Sequence, residues 1–212
     1  MTIEQIIKDR NIEDIVHFTT NSGFTGILAS RCIQSRARLP EDQYLEHIVL
    51  YNCENRNRDE EWLDYVNMSI TTVNMRLFNI SRGNWHSGMD GWWCILSFSP
   101  EILMHPGVFF ATTNNIYTSV RRKMGVEGFN YLFENEIERW SGNVVVRQHD
   151  LSLNQPTCNQ AEVLYPGKLS TDYLRHVYFE NEDDLVAAES IIPRFKGLPK
   201  FDCQVKPEIF LN

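Results

Sequence analysis

The chain has 212 residues, 42% of them hydrophobic, enough for one sizeable core and short for two independent domains, so residues 1–212 are expected to form a single domain. A formal net charge of -8 excludes a protein that coats nucleic acid over its whole surface and leaves local basic patches as the route to any polyanion. No charged n-region is followed by an apolar h-region, and no stretch approaches the roughly 18 apolar residues of a membrane span, so the reading is a soluble cytoplasmic protein with no membrane partner.

In chain order, Ile3 to Lys8 has the spacing of a short amphipathic helix, and Ile15-Val16-His17-Phe18 reads as a strand. A helix follows at once, capped by Asn21 or Ser22, with Phe24, Ile27 and Leu28 on one face. After a polar stretch from Tyr51 to Glu61, Tyr65 to Ile70 alternates like a half-buried strand, and Val73 to Phe78 forms a helical turn. Trp92 to Phe98 and Val108 to Ala111 are aromatic and β-branched runs expected as buried strands, the second ending in the turn composition Thr112-Thr113-Asn114-Asn115. Ile116 to Trp140 is expected to be mostly helical, interrupted at Gly125 and Gly128. Gln160 to Tyr165 and Tyr173 to Phe179 are expected strands, and Asp183 to Ser190 a short helix.

These elements do not alternate as βαβ units do, so the class is α+β. No internal repeat or Pro/Gly/Ser-rich linker divides the chain, and neither GxGxxG nor GxxxxGK[ST] occurs, which excludes dinucleotide-fold and P-loop sites. Cys32, Cys53, Cys94, Cys158 and Cys203 stand far apart, without metal-ligand spacing, and read as reduced thiols; no metal is expected.

Polar residues at the ends of apolar strands are where a scaffold holds side chains at a cleft. Four segments have this form: Val16-His17-Phe18-Thr19-Thr20-Asn21, Asn67-Met68-Ser69 with Arg76 downstream, Phe110 to Asn115, and Asn159-Gln160-Ala161-Glu162-Val163-Leu164-Tyr165. Taken singly, His17 is open to reading as a hydrogen-bonded core residue, and Glu162 as a carboxylate turned to solvent from its strand. Two basic runs, Arg31/Arg36/Arg38 and Arg121-Arg122-Lys123, are either solvated surface or local sites for a polyanion. Trp85, Trp92 and Trp93 are open between core packing and base stacking.

In their order, HFTTNSGFTGIL, YVNMSITTVNMRLF, VFFATTNN and NQAEVLYP resemble the DarT family of bacterial DNA ADP-ribosyltransferases, toxins of toxin-antitoxin pairs related in fold to the poly(ADP-ribose) polymerases. The resemblance spans roughly residues 13 to 180. It implies an ADP-ribosyltransferase-like fold, a central split, antiparallel-rich sheet flanked by helices, and NAD+ as substrate. It implies Glu162 and Arg76 as catalytic residues, and His17, Thr19, Asn21 and Asn67 as contacts to NAD+. Where the family often places its arginine directly after an Asn-Pro pair, Thr71 to Met75 precede Arg76 here.

The residue types suit the chemistry. Cleaving the bond between nicotinamide and ribose builds an oxocarbenium-like cation, and a carboxylate beside it gains energy as the charge develops. A single-stranded DNA acceptor follows from the resemblance, because a base edge inside a duplex is out of reach. Arg31, Arg36, Arg38, Arg121, Arg122 and Lys123 are the candidate DNA contacts, and a macrodomain-type antitoxin is the implied partner. The residues around NAD+ leave an RNA or protein acceptor open, as well as plain NAD+ hydrolysis. They do not choose between thymine and guanine.

Overall fold

The computed structural model describes residues 1–39, 60–85 and 91–211. Among them, an eight-stranded sheet runs in the order β12-β11-β4-β1-β3-β9-β5-β6. Its strands are β1 (Ile15–Thr20), β3 (Tyr65–Ile70), β4 (Trp93–Phe98), β5 (Phe109–Ala111), β6 (Arg122–Met124), β9 (Glu162–Pro166), β11 (Leu174–Phe179) and β12 (Asp202–Val205). Every pairing is antiparallel except β11 with β12, which are joined through helix α5 (Glu182–Ile191). Two small ribbons pair β2 (Cys32–Gln34) with β10 (Lys168–Ser170) and β7 (Glu136–Trp140) with β8 (Asn143–Val146). Helices α1 (Ile3–Asp9), α2 (Asn21–Ser30), α3 (Met75–Ile80) and α4 (Gly125–Tyr131) complete the regular elements used below. The class is α+β, as expected.

The sheet is split at one seam. β1 stays paired with β4 from Ile15↔Phe98 to Thr20↔Trp93, whereas its pairing with β3 covers only Ile15↔Ile70 and Val16↔Ser69. From His17 onward the two strands part. One face of the sheet buries Ile15, Met68, Leu96, Phe110, Val163 and Phe179 against Phe24, Ile27 and Leu28 of α2 and Phe129 of α4. The other buries Val16, Ile95 and Trp93 under Phe78 of α3 and Phe210. Period-2 alternation along β1 feeds both cores, so its register is firmly specified.

The expected elements hold with local shifts. The cap of α2 is Thr20, whose hydroxyl accepts from the Gly23 N–H at 3.2 Å, because β1 continues two residues further than its apolar run. β3 is expected half-buried, but Met68, Ser69 and Ile70 are all buried, since the strand is central and covered on both faces there. The helix expected over 116–140 is the largest departure: that stretch holds turns, β6, the single short helix α4 and β7. Gly125 has φ +72, incompatible with a continuing helix, and Gly142 at φ +77 makes the turn from β7 into β8. β2, β8, β10 and β12 are additional short strands. Cys32, Cys94, Cys158 and Cys203 are free thiols, and Cys53 lies outside the described residues.

Gly128 shows why this connection cannot be generic helix. A Cβ there would lie 2.0 Å from the Lys123 carbonyl oxygen, a main-chain atom of β6. Gly128→Ala is therefore expected to cost about 1–3 kcal/mol by overpacking. That should lower the melting temperature by about 2–4 °C per kcal/mol, and an unchanged melting curve would show that β6 yields freely.

Candidate active site

Glu162 opens β9, between β3 and β5, with Ala111 as its cross-strand partner. Because both neighbouring strands are in place, its side chain is only 4% exposed, which removes the reading of a solvent-facing strand carboxylate. A buried carboxylate is tolerated where donors surround it. Here Oε2 accepts from Asn67 Nδ2 at 3.1 Å and from the Asn115 main-chain N–H at 2.9 Å.

Asn115 reaches Glu162 because the Thr112–Asn115 turn is pinned on several sides. The Thr112 N–H donates to the Arg121 carbonyl at 3.1 Å, and the Arg121 N–H returns to the Thr112 hydroxyl at 3.2 Å. Cys158 Sγ lies 3.3 Å from the Thr113 hydroxyl, and the Tyr117 hydroxyl donates to Gln160 Oε1 at 2.9 Å. Arg122 donates through Nε to Asn115 Oδ1 and through Nη2 to the Asn115 carbonyl. Asn115 carried only a turn signal in the sequence. An asparagine closing a Thr-rich turn after a buried strand is the pattern that marks it.

His17 stands where β1 and β3 part. Its Nδ1 lies 2.9 Å from the Asn67 carbonyl oxygen, which can only accept, so Nδ1 carries the proton. Burial pushes the imidazole below its ordinary pKa, against the smaller upward pull of that carbonyl. The ring is therefore neutral near pH 7, and the network assigns Nε2 as a hydrogen-bond acceptor. Asn67 bridges the seam, receiving His17 on its carbonyl and giving its side-chain amide to Glu162.

The other expected NAD+ contacts sit around α2. Thr19 is buried, its hydroxyl packed so tightly that a Cβ on Gly23 would lie 2.0 Å from it. Asn21 is half-buried, its N–H donating to the Trp92 carbonyl at 2.9 Å and its side chain lying against Gly91. Arg76 is exposed on α3 and makes no hydrogen bond or ion pair with Glu162, Asn67 or His17 among the described residues. Thr71, at φ 65, turns the chain away before α3, with its N–H on the Asp14 carbonyl and its hydroxyl on the Asn154 carbonyl, each at 2.9 Å.

The basic residues fall into two groups. Arg38 forms a two-pronged pair with Asp64 at 2.6 and 2.7 Å, and its guanidinium rests on Gly167. This pairing holds the Asp64 carboxyl down at about 2. Arg121 pairs with Glu134, and Lys123 with Glu127 at 2.6 Å. Arg36 is half-buried, and Arg31 is exposed at the left-handed end of α2 with no ion pair to a described residue. Trp93 is core, and the partly buried Trp92 packs edge-on against Phe24 and Phe179; the Trp85 side chain lies outside the described residues.

Among the described residues no group of three or more His, Cys, Asp or Glu is placed to hold a metal ion, and no helix is long and apolar enough to cross a membrane. A hollow of about 420 Å³ lined by Ile192, Leu198, Phe201 and Cys203 shares no residue with the Glu162 constellation.

The sequence model of one family, described as DarT, ssDNA thymidine ADP-ribosyltransferase, matches residues 16–211. No curated protein matches the chain. Solved structures share its fold. Thermus sp. 2.9 DarT in complex with NAD+ aligns at 13% identity with a TM-score of 0.64, over 93% of this chain and 97% of that one. The same protein in complex with ADP-ribosylated ssDNA aligns at 13% identity and 0.65, over 94% and 97%. Thermosipho africanus DarTG in complex with ADP-ribose aligns at 11% identity and 0.58, over 93% of this chain and 51% of that one.

Proposed function

The chain belongs to the DarT family of ssDNA thymidine ADP-ribosyltransferases, and from that premise we propose that Glu162 is the catalytic carboxylate of an NAD+-dependent transfer to a thymine base. The observation that carries this assignment is the buried carboxylate of Glu162, held by Asn67 and the Asn115 N–H and joined through Asn67 to His17.

In this reading, Glu162 accepts a hydrogen bond from a hydroxyl of the nicotinamide ribose. As the bond from C1′ to the nicotinamide nitrogen breaks, its electron pair leaves with nicotinamide, and the fixed anion stabilises the cationic sugar. Thymine N1 is already bonded to deoxyribose, so N3 is the ring N–H nitrogen that can bond to C1′, and Glu162 takes its proton. His17 Nε2 accepts from a ribose hydroxyl of NAD+. Asn67 fixes both groups, and Thr19 and Asn21 shape the α2 side of the NAD+ site. Arg76, exposed on α3, is proposed to steady the pyrophosphate, since a guanidinium suits a phosphate anion.

The DNA path is proposed to run from Arg31, Arg36 and Arg38 to Arg121 and Lys123, with Arg122 turned to Asn115 instead. Arg38, Arg121 and Lys123 already hold internal ion pairs, so each must exchange a carboxylate for a phosphate, whereas Arg31 has no ion pair among the described residues. Arg31→Ala is expected to weaken DNA binding across all sequences and to reduce the slope of log affinity against log salt by about 0.7. Turnover of NAD+ without DNA should hold. An unchanged slope would remove Arg31 from the path.

The remaining context is proposed on family grounds: a cytoplasmic toxin in one domain, with a macrodomain-type antitoxin that removes the adduct. The deciding experiment is mass spectrometry of a mixed-sequence single-stranded oligonucleotide incubated with NAD+. The expected product is ADP-ribose on thymine. Modification confined to RNA or protein, or release of ADP-ribose alone, would overturn the acceptor assignment.

A further inference from the structure

We infer that Arg122 is a positioning residue for catalysis: it sets the carboxylate of Glu162 through Asn115. The inference rests on the proposed role of Glu162. The register places the pieces. β5 lies between β9 and β6, and the same residue, Ala111, pairs with Glu162 on one side and Arg122 on the other. The turn leaving Ala111 then folds Asn115 back so that it meets both. Arg122 grips Asn115 twice, through Nε on the side-chain oxygen and through Nη2 on the main-chain carbonyl.

Gripping both oxygens leaves Asn115 little freedom about φ and ψ. Its N–H is thereby aimed at Glu162 Oε2, 2.9 Å away. A planar guanidinium holds two acceptors of one residue in a fixed fork, a geometry that the three rotatable donors of an ammonium do not impose. Trp62 adds support, its ring centre 5.2 Å from the guanidinium carbon. Arg121 and Lys123 beside it pair with Glu134 and Glu127 instead, so this function belongs to the middle residue of the basic run alone. The charge also stands one residue removed from the buried carboxylate, offsetting its negative charge when no sugar cation is present.

Groups that orient metal ligands typically contribute about 10- to 100-fold, and an effect of the same order is expected for the pair that orients Glu162. Arg122→Ala and Arg122→Lys should therefore each lower kcat for NAD+ hydrolysis without DNA by about 10- to 100-fold, with KM for NAD+ within about twofold. Guanidinium ion added to Arg122→Ala should restore part of the loss, and none to Arg122→Lys, whose ammonium fills the position. Asn115→Ala should be impaired similarly, and the double variant Arg122→Ala/Asn115→Ala should be little worse than the poorer single one, because both act on one N–H.

Full kcat in Arg122→Lys, or losses that multiply in the double variant, would overturn the inference. So would a loss confined to DNA affinity and its salt slope, which would make Arg122 a phosphate contact. Asn115→Ala and Arg122→Lys keep the test open if Arg122→Ala does not fold. Glu162→Gln in the same assay separates the two levels: if it turns over NAD+ like wild type, the reading of the site itself fails, whatever Arg122 does.

Discussion

Glu162→Gln is expected to lower turnover of NAD+ by about 10²-fold or more, with DNA or without it, while the protein melts close to wild type. The two atoms that hold the carboxylate, Asn67 Nδ2 and the Asn115 N–H, are both donors. Both land on the one oxygen Oε2, so a glutamine that places its amide oxygen there keeps both bonds and the shape of the side chain, and the main quantity removed is charge. That charge matters most as the sugar becomes cationic, which places the loss in kcat more than in NAD+ affinity. Glu162→Ala should be as inactive and less stable, because it strands two buried donors. Steady-state kinetics beside thermal melting checks both parts. Turnover within a few-fold of wild type in Glu162→Gln would remove the glutamate from the mechanism.

The second expected result concerns His17. His17→Ala should weaken NAD+ binding by about 1–3 kcal/mol, between roughly fivefold and a hundredfold, since a ribose hydroxyl loses its acceptor in a largely buried place. The same ring carries a pH signature. Burial depresses its pKa in the folded protein, so the unfolded chain binds the extra proton first as pH falls. Stability contributed by neutral His17 is therefore fully present above the unfolded value of about 6.5 and is lost as pH drops through it toward the folded value. NAD+ affinity should stay level from pH 8 through 6.5 and decline only below, when Nε2 takes a proton and ceases to accept. Calorimetric titration from pH 8 to 5 on wild type and His17→Ala checks this. A large loss of stability with unchanged NAD+ affinity would make His17 a core residue.

Both expected results depend on groups whose residue type was legible in the sequence and whose setting was not. Glu162 stood out in QAEVLYP and His17 in VHFTT by contrast with their apolar neighbours. Alternation along one strand gives a side chain's face but not what lies across it. Glu162 reads as exposed until β3 and β5 flank it; with both in place it is 4% exposed and needs its donors. Asn115 illustrates the limit more sharply, because its functional group is a main-chain N–H, invisible to any reading of side chains.

The sequence by itself determined the strand and helix of the His17 segment, the β3 and β9 strands, the α+β class and the family, because apolar periodicity and motif order are local or sequential properties. Tertiary structure decided the rest. The 116–140 stretch carries helix-compatible residues, yet the positive φ at Gly125 and the approach of Gly128 to the Lys123 carbonyl make it a strand, a short helix and a second strand. The three adjacent cations at 121–123 look equivalent along the chain. Side chains in a strand alternate between faces, and the neighbours brought there by folding differ: Glu134 takes Arg121, Glu127 takes Lys123, and Asn115 receives Arg122. Which cation faces a carboxylate and which steadies the active-site turn depends on how the turn before β6 and helix α4 after it fold back on that strand, which the residue types alone do not specify.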